Sequence, residues 1–366
     1  MKQTLLAAAL AALSLHAHAQ EEAATEAPKT AAAANGGAAV TIYGSIDGGL
    51  RRTTNIDPQG DSVTTEGSNG TFRSNRLGFR GSEALGGNNK VNFVLELGFN
   101  GGTGALNNTN NVLFQREAHV GISGDWGALD VGRNYTVAYR TILAFDPFKF
   151  RYPSITYVLS STNGIRKDND VQYTGTFGDW TTRAAWSLGE VAGDVDYGTT
   201  KALGANYAHG GLKAGASYAI AKQNVGSASA ADYRDYNHLA LGASYDFGKL
   251  TLAVGHVKQT QETATRDNTS QWDWIGGDYQ ITQRFDFTAA VYRNKLYNTK
   301  ATAAAAAGDA RKDLYMAGVT YTLSKRTTLY AEADHTKLNG GLATGGTTKL
   351  NQTSQNGVAA GIMHMF

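Results

Sequence analysis

Arg76 and Arg80 stand in a stretch whose intervening positions Leu77 and Phe79 are apolar. A period of two puts both guanidiniums on one face of a strand and the apolar side chains on the other. Arg51, Arg166 and Arg183, with Lys213, fall on the polar faces of similar stretches, as do Asp47, Glu96, Glu117, Asp130, Asp168, Asp170, Glu332 and Asp334. A different kind of charge cluster lies in the interval 136–164 (TVAYRTILAFDPFKFRYPSITYVLSSTNG), which carries Arg140, Asp146, Lys149 and Arg151. Fixed charges around an opening sort ions and polar solutes by sign and size, because low-dielectric walls focus the field between them. We therefore expect an opening at which Asp146 and Lys149 face Arg80 and Arg76 from the wall. Arg133 is the exception, because strict alternation from Leu129 and Val131 turns it to the apolar face.

The interval 136–164 is too long and too apolar to be an ordinary surface connection. It holds Pro147 and Pro153 together with Tyr139, Phe145, Phe148, Phe150, Tyr152 and Tyr157. Loops of this length are functional or disordered as a rule, and this composition argues against disorder. Phe145 and Phe148 are expected to form an apolar underside. Tyr43, Tyr139, Tyr152 and Tyr157 either line the opening or pack the loop on its wall.

What positions these residues is a series of strands. From Val40 onward the dominant period is two: Val40, Ile42, Ile46 and Leu50 share one face, and the residues 91–99 alternate Val, Phe, Leu, Leu, Phe with polar or small neighbours. Tight turns centred near 87, 125, 178, 210, 248, 283 and 325 alternate with long polar connections, and sixteen strands result. Strands long enough to cross a bilayer, joined by alternating short and long connections, fit a closed antiparallel barrel whose short turns face the periplasm. Closure is forced, since an unpaired strand edge in lipid leaves backbone groups without partners. Aromatic residues such as Tyr207, Tyr218, Tyr245, Phe247, Tyr279, Phe285, Phe287, Tyr315, Tyr321 and Phe366 fall on the outward faces, as the bilayer interface favours.

Residues 1–19 read as a signal peptide: Lys2, an apolar core from Leu5 to Leu15, and Ala17-His18-Ala19 before the cleavage point. Residues 20–39 form an alanine-rich flexible leader, and the barrel domain is 40–366. Cysteine is absent, so no disulfide framework is available. A net charge of +2, with no basic run, gives no sign of a nucleic-acid partner. Catalysis is not expected either. There is no G-x-S-x-G elbow and no H-E-x-x-H zinc helix. His119 and His238 read as isolated polar side chains, and the pairs Asp168/Asp170 and Asp194/Asp196 lack the rest of a calcium loop. We expect no cofactor and no metal.

Several stretches, in order, resemble a known family: VTIYGSID at 40–47, SNRLGFRGSE at 74–83, ELGFN at 96–100, FQREA at 114–118, Gly132-Arg133-Asn134, RKDNDVQY at 166–173, and the alternating end Gly361 to Phe366. Together they are similar to the Gram-negative general porins, of the sixteen-stranded trimeric type found in beta-proteobacteria and neisseriae. The alanine-rich leader, Ala84 in place of an acid and Gly175 in place of a proline depart from that pattern. The resemblance implies an all-β transmembrane barrel whose third loop, 136–164, folds into the lumen and constricts it. It also implies a homotrimer in the outer membrane, in contact with membrane lipid and lipopolysaccharide, passing ions and small hydrophilic solutes. A substrate-specific channel for an anion or a sugar is the alternative.

Overall fold

The computed structural model describes residues 39–67, 69–108, 110–153, 155, 157–227, 229–299, 308–344 and 352–366. The expected signal peptide and leader lie outside the described residues, apart from Ala39, which opens the first strand.

The strands are β1 (Ala39–Thr53), β2 (Val63–Glu66), β3 (Arg76–Gly86), β4 (Asn89–Gly98), β5 (Glu117–Gly124), β6 (Gly127–Tyr135), β7 (Arg166–Phe177), β8 (Trp180–Ser187) and β9 (Thr200–His209). They continue as β10 (Leu212–Asn224), β11 (Tyr233–Asp246), β12 (Leu250–Gln261), β13 (Asn268–Thr282), β14 (Phe285–Thr299), β15 (Gly308–Ser324), β16 (Thr327–Gly340) and β17 (Ser354–Met365). Every neighbouring pair is antiparallel, and β1 closes the ring on β17 through the register Ser45 with Met365 to Thr53 with Gly357. β1 is shared on its other edge: residues 39–45 pair with β3, and residues 50–53 pair with β2. The barrel is thus sixteen long strands, with β2 as a short flap against the first.

The two faces of each strand differ as alternation demands. One presents large apolar side chains to the outside, Leu203, Leu241, Val254 and Ile275 among them. The other carries the buried and polar residues. Tyr218, Tyr245, Phe247, Tyr279, Phe287, Tyr315, Tyr321 and Phe366 are exposed on the outer surface, where amphipathic rings suit a membrane boundary.

Strand ends differ from expectation on one side only. β13 to β16 run several residues further into the long connections than their alternation suggests, β14 reaching Thr299 and β15 starting at Gly308. Above a bilayer both faces of a strand are wet, so polarity stops alternating while the backbone ladder continues. The flap β2 hides in a polar connection for the same reason.

The segment between β6 and β7 is not extended. Thr136 caps a short helix, α1 (Val137–Ile142), its hydroxyl accepting from the Tyr139 N–H. A 3-10 turn follows over Leu143–Phe145, and a second spans Tyr157–Ser161.

Candidate functional site

The loop from β6 to β7 is fastened along the inner face of the wall, the face opposite the exposed apolar one. Its route can be followed through glycines. A side chain on Gly204 of β9 would meet Val137, and one on Gly242 of β11 would collide with the Phe145 ring. Likewise Gly276 of β13 lies under Pro147, and Gly318 of β15 under Phe148 and the Tyr152 hydroxyl. Only a residue without Cβ lets an aromatic ring come so close to a strand.

Polar pegs reinforce this seat. Trp274 Nε1 donates to the Phe145 carbonyl at 2.8 Å, and His238 Nε2 lies 2.6 Å from the Ser161 carbonyl. Tyr292 donates its hydroxyl to Asp146 at 2.5 Å, and the Phe150 N–H reaches the other Asp146 oxygen at 2.7 Å. At the far end, Tyr152 sits edge-on to both Phe72 and Tyr330, which stack on each other at 4.8 Å. Asp47 accepts from Tyr330 and from the backbone N–H groups of Phe72 and Arg73, fixing that corner.

Asp146 therefore corrects the expectation drawn from sequence. It does not face Arg76 and Arg80. It is 3% exposed and faces the wall at Tyr292. Burial pushes its carboxyl above the ordinary carboxylate range, against the lowering effect of its hydrogen bonds. Lys149 is half-buried with a left-handed backbone, φ 51°, and Arg151 lies over the Phe72 ring at 5.1 Å. Arg80 lies over the Tyr43 ring at 4.9 Å.

The other expected arginines sort into separate groups. Arg51 spans the closing seam to Glu332 (3.1 Å) and Asp334 (2.7 Å). It passes Gly357, where a Cβ would collide with both the guanidinium and Asp334. Arg140 pairs with Glu117 at 3.2 Å, and Arg183 donates to Asn206 at 3.3 Å. Arg76 and Arg166 do converge, and the residue that joins them, Arg116, escaped the sequence reading. Arg116 holds Glu96 at 2.5 Å, and Arg76 lies 3.8 Å from the same carboxylate. Arg116 and Arg166 both donate to the Tyr135 hydroxyl, at 2.9 and 2.7 Å. Arg166 also covers the Tyr135 ring at 4.4 Å, and Tyr139 stacks on that ring at 4.3 Å. Alternation counted from Phe114 assigns Arg116 to the outer face. β5 starts only at Glu117, so Arg116 is a loop residue free to turn inward. Glu96, 2% exposed, is the counter-charge that makes such density of arginine tolerable.

Arg133 sits at a register shift in the β6–β7 ladder. The extra residue there belongs to β7, and Arg133 keeps its place opposite Ala118 on the face of Val131, as alternation expects; its Nε donates to the Gln115 carbonyl at 2.7 Å and its guanidinium pairs with the exposed Asp168. His119 is not isolated but lies between Glu117 (3.8 Å) and Asp130 (3.6 Å).

On the long-connection side of the loop is a cavity of about 820 Å³, lined by Arg51, Arg116, Arg166, Glu66, Tyr139 and Phe150 among others. Of its three guanidiniums, Arg51 comes already paired with Glu332 and Asp334, and Arg116 shares Glu96 with Arg76.

Comparison with known proteins agrees with the closed barrel. The family model described as Gram-negative porin matches residues 6–341. An outer membrane porin protein of Bordetella pertussis is 29% identical, with all of both chains covered. Outer membrane porin protein 32 of Delftia acidovorans is also 29% identical, over 89% of this chain and 94% of its own. Among solved structures, an anion-selective porin from Comamonas acidovorans superposes with a TM-score of 0.75 at 25% identity, covering 90% of this chain and 100% of that one. The trimer form of OmpT from Vibrio cholerae shares the fold, with a TM-score of 0.65 at 15% identity, 90% of this chain and 99% of that one.

Proposed function

The chain belongs to the Gram-negative porin family and is an outer-membrane diffusion channel, and we propose that the loop 136–165 narrows its water-filled passage and that the passage favours anions. The observation that carries the preference is the group of Arg76, Arg116 and Arg166 gathered round the one carboxylate of Glu96 and the Tyr135 hydroxyl, with Arg116 and Arg166 lining the cavity on the long-connection side. A channel wall of low dielectric focuses that excess positive potential on a passing ion. The solved neighbour at 25% identity is an anion-selective porin, which supports the same reading.

The candidate constriction then differs from the one expected at the outset. Arg76, Arg116 and Arg166, spaced by Tyr135 and Glu96, form the charged wall, while Asp146 seats the loop. Ions and small hydrophilic solutes are the cargo. A homotrimer embedded in lipid and lipopolysaccharide, with the short turns toward the periplasm, is the assembly we propose.

Reversal potential across a planar bilayer in a potassium chloride gradient tests the preference. The expected sign is that of chloride permeating faster than potassium, and the opposite sign would overturn it. Current should rise in proportion to salt at low concentration. Saturation by a single solute there would instead mark a substrate-specific channel.

A further inference from the structure

The outward face of β12 to β16 changes character part-way along its strands. Toward the tight turns it is apolar. Gly277, Ala289, Ala317 and Ala333 stand directly across from one another and floor an open groove. Larger side chains border it, Tyr279 and Phe287 toward the short turns and Ile275, Val291 and Tyr315 away from them. Beyond that border the same face is charged, in two cross-strand rows. The first is His256, Asp273, Arg293, Asp313 and Lys337, and the second is Lys258, Gln271, Lys295, Arg311 and Asn339.

We propose that this face is a docking site for a membrane lipid carrying a phosphomonoester, with an acyl chain in the groove and the phosphate held by Arg293, Lys295, Arg311 and Lys337. The proposal rests on the assembly proposed above, a barrel set in lipid with its short turns toward the periplasm.

The depth fits. Lys258, Lys295 and Lys337 each stand about ten residues along their strands from the preceding tight turn, and a tilted strand rises about 2.3 Å per residue. These cations therefore mark the far edge of an apolar band about 25 Å tall, where a lipid turns from chain to headgroup.

The charge fits as well. The second row holds no acid, and Lys295 stands directly opposite Arg311, a like-charge pair that an anion between them relieves. In the first row Asp313 serves two arginines, Arg293 at 2.6 Å and Arg311 at 3.0 Å. Asp273 lies 2.7 Å from His256 Nδ1, and Asp235 of β11 is engaged with Lys222 at 2.8 Å. Lys258, Arg293, Lys295, Arg311 and Lys337 are thus set against only Asp273 and Asp313 in the two rows. A guanidinium takes two phosphate oxygens as a fork, and an ammonium adds a point charge. The adjoining groove decides where that phosphate comes from. A free ion gains nothing from Ala289 and Ala317, whereas an acyl chain covers them.

The test titrates the purified full chain in detergent with dioleoyl phosphatidic acid and counts bound lipid by native mass spectrometry. Phosphatidic acid should bind saturably, and more tightly than dioleoyl phosphatidylcholine, whose headgroup is zwitterionic. In the double variant Lys295→Gln with Lys337→Gln its dissociation constant should rise about tenfold, with phosphatidylcholine unchanged. Equal binding of the two lipids, or phosphatidic acid binding unchanged in the double variant, overturns the proposal. Ala317→Phe fills the groove without touching a charge and should weaken both lipids; no effect there overturns the placement of the acyl chain. That variant also carries the test should the double variant not fold. Displacement of phosphatidic acid by inorganic phosphate at matched concentration would overturn a lipid as the ligand. A double variant that changes the number of chains per particle and not the lipid load would assign the face to a second copy, which overturns the proposal too. A failed titration leaves stepwise current in planar bilayers intact, and with it the channel reading, whereas absence of current would overturn that reading separately.

Discussion

The inner wall has two halves built on different chemistry. From β9 to β16 it is glycine and aromatic, with Gly204, Gly242, Gly276 and Gly318 under the loop and Trp274, Tyr292 and His238 pegging it. From β3 to β7, with the residue Arg116, it is arginine held by Glu96 and Tyr135. The first half holds the loop, and on the function proposed above the second sets the charge that a passing ion meets. Position and selectivity would then be separable properties, governed by different side chains.

The largest effect should come from Arg116→Gln. It removes one partner of a buried ion pair, which costs about 3–5 kcal/mol, and we expect a lower thermal midpoint in detergent together with a reversal potential moved toward cations. A variant as stable and as selective as wild type would show that the arginine half is decorative.

On the seat half, Tyr292→Phe strips Asp146 of its hydroxyl donor. Leaving that buried oxygen unsatisfied should cost about 1–3 kcal/mol. Hydrogen exchange of residues 145–152 should quicken and conductance become noisier, with reversal potential unchanged. The same seat should respond to pH. Because burial raises the Asp146 pKa, its contribution is full below the ordinary carboxylate pKa and fades as pH rises through the raised value. Exchange of the loop should therefore speed up at higher pH, and Asp146→Asn should flatten that dependence.

Gly242→Val forces Phe145 off the strand, at about 1–3 kcal/mol for overpacking. It should change conductance more than selectivity, and the reverse result would break the division between the halves.

The smallest and sharpest comparison sets Arg166→Gln against Arg80→Ala. A unit charge about 4 Å from an ion is worth about 1 kcal/mol even in water, so losing Arg166 should shift the chloride-to-potassium permeability ratio by about fivefold. Arg80 lies over Tyr43, away from the large cavity's lining, and its loss should shift the ratio less. Equal shifts would extend the selective wall down to Arg80.

The barrel was legible in the sequence because one physical constraint, apolar out and polar in, repeats every second residue along sixteen strands. It faded wherever both faces are wet, as at the ends of β14 and β15. The loop was legible as an anomaly, through Pro147, Phe145 and Phe148. Its orientation was not, because Asp146 reads the same whether it points into water or at Tyr292. The wall glycines carried a signal that alternation overlooks: Gly215, Gly242 and Gly255 lie directly across from one another on β10, β11 and β12. Arg116 was lost to a strand boundary misplaced by a few residues.

The seam between β1 and β17 has a kinetic meaning. Arg51 and Glu332 are 281 positions apart along the chain, and Ser45 pairs with Met365. Contacts so remote in sequence carry a loop-closure cost that nearest-neighbour hairpins do not. The fifteen hairpin-like steps around the ring can form locally, whereas the last ladder must wait for all of them. Damage at Gly357 or Asp334 should accordingly appear as slow assembly and a long-lived open sheet, before it appears as any change in what the finished molecule conducts.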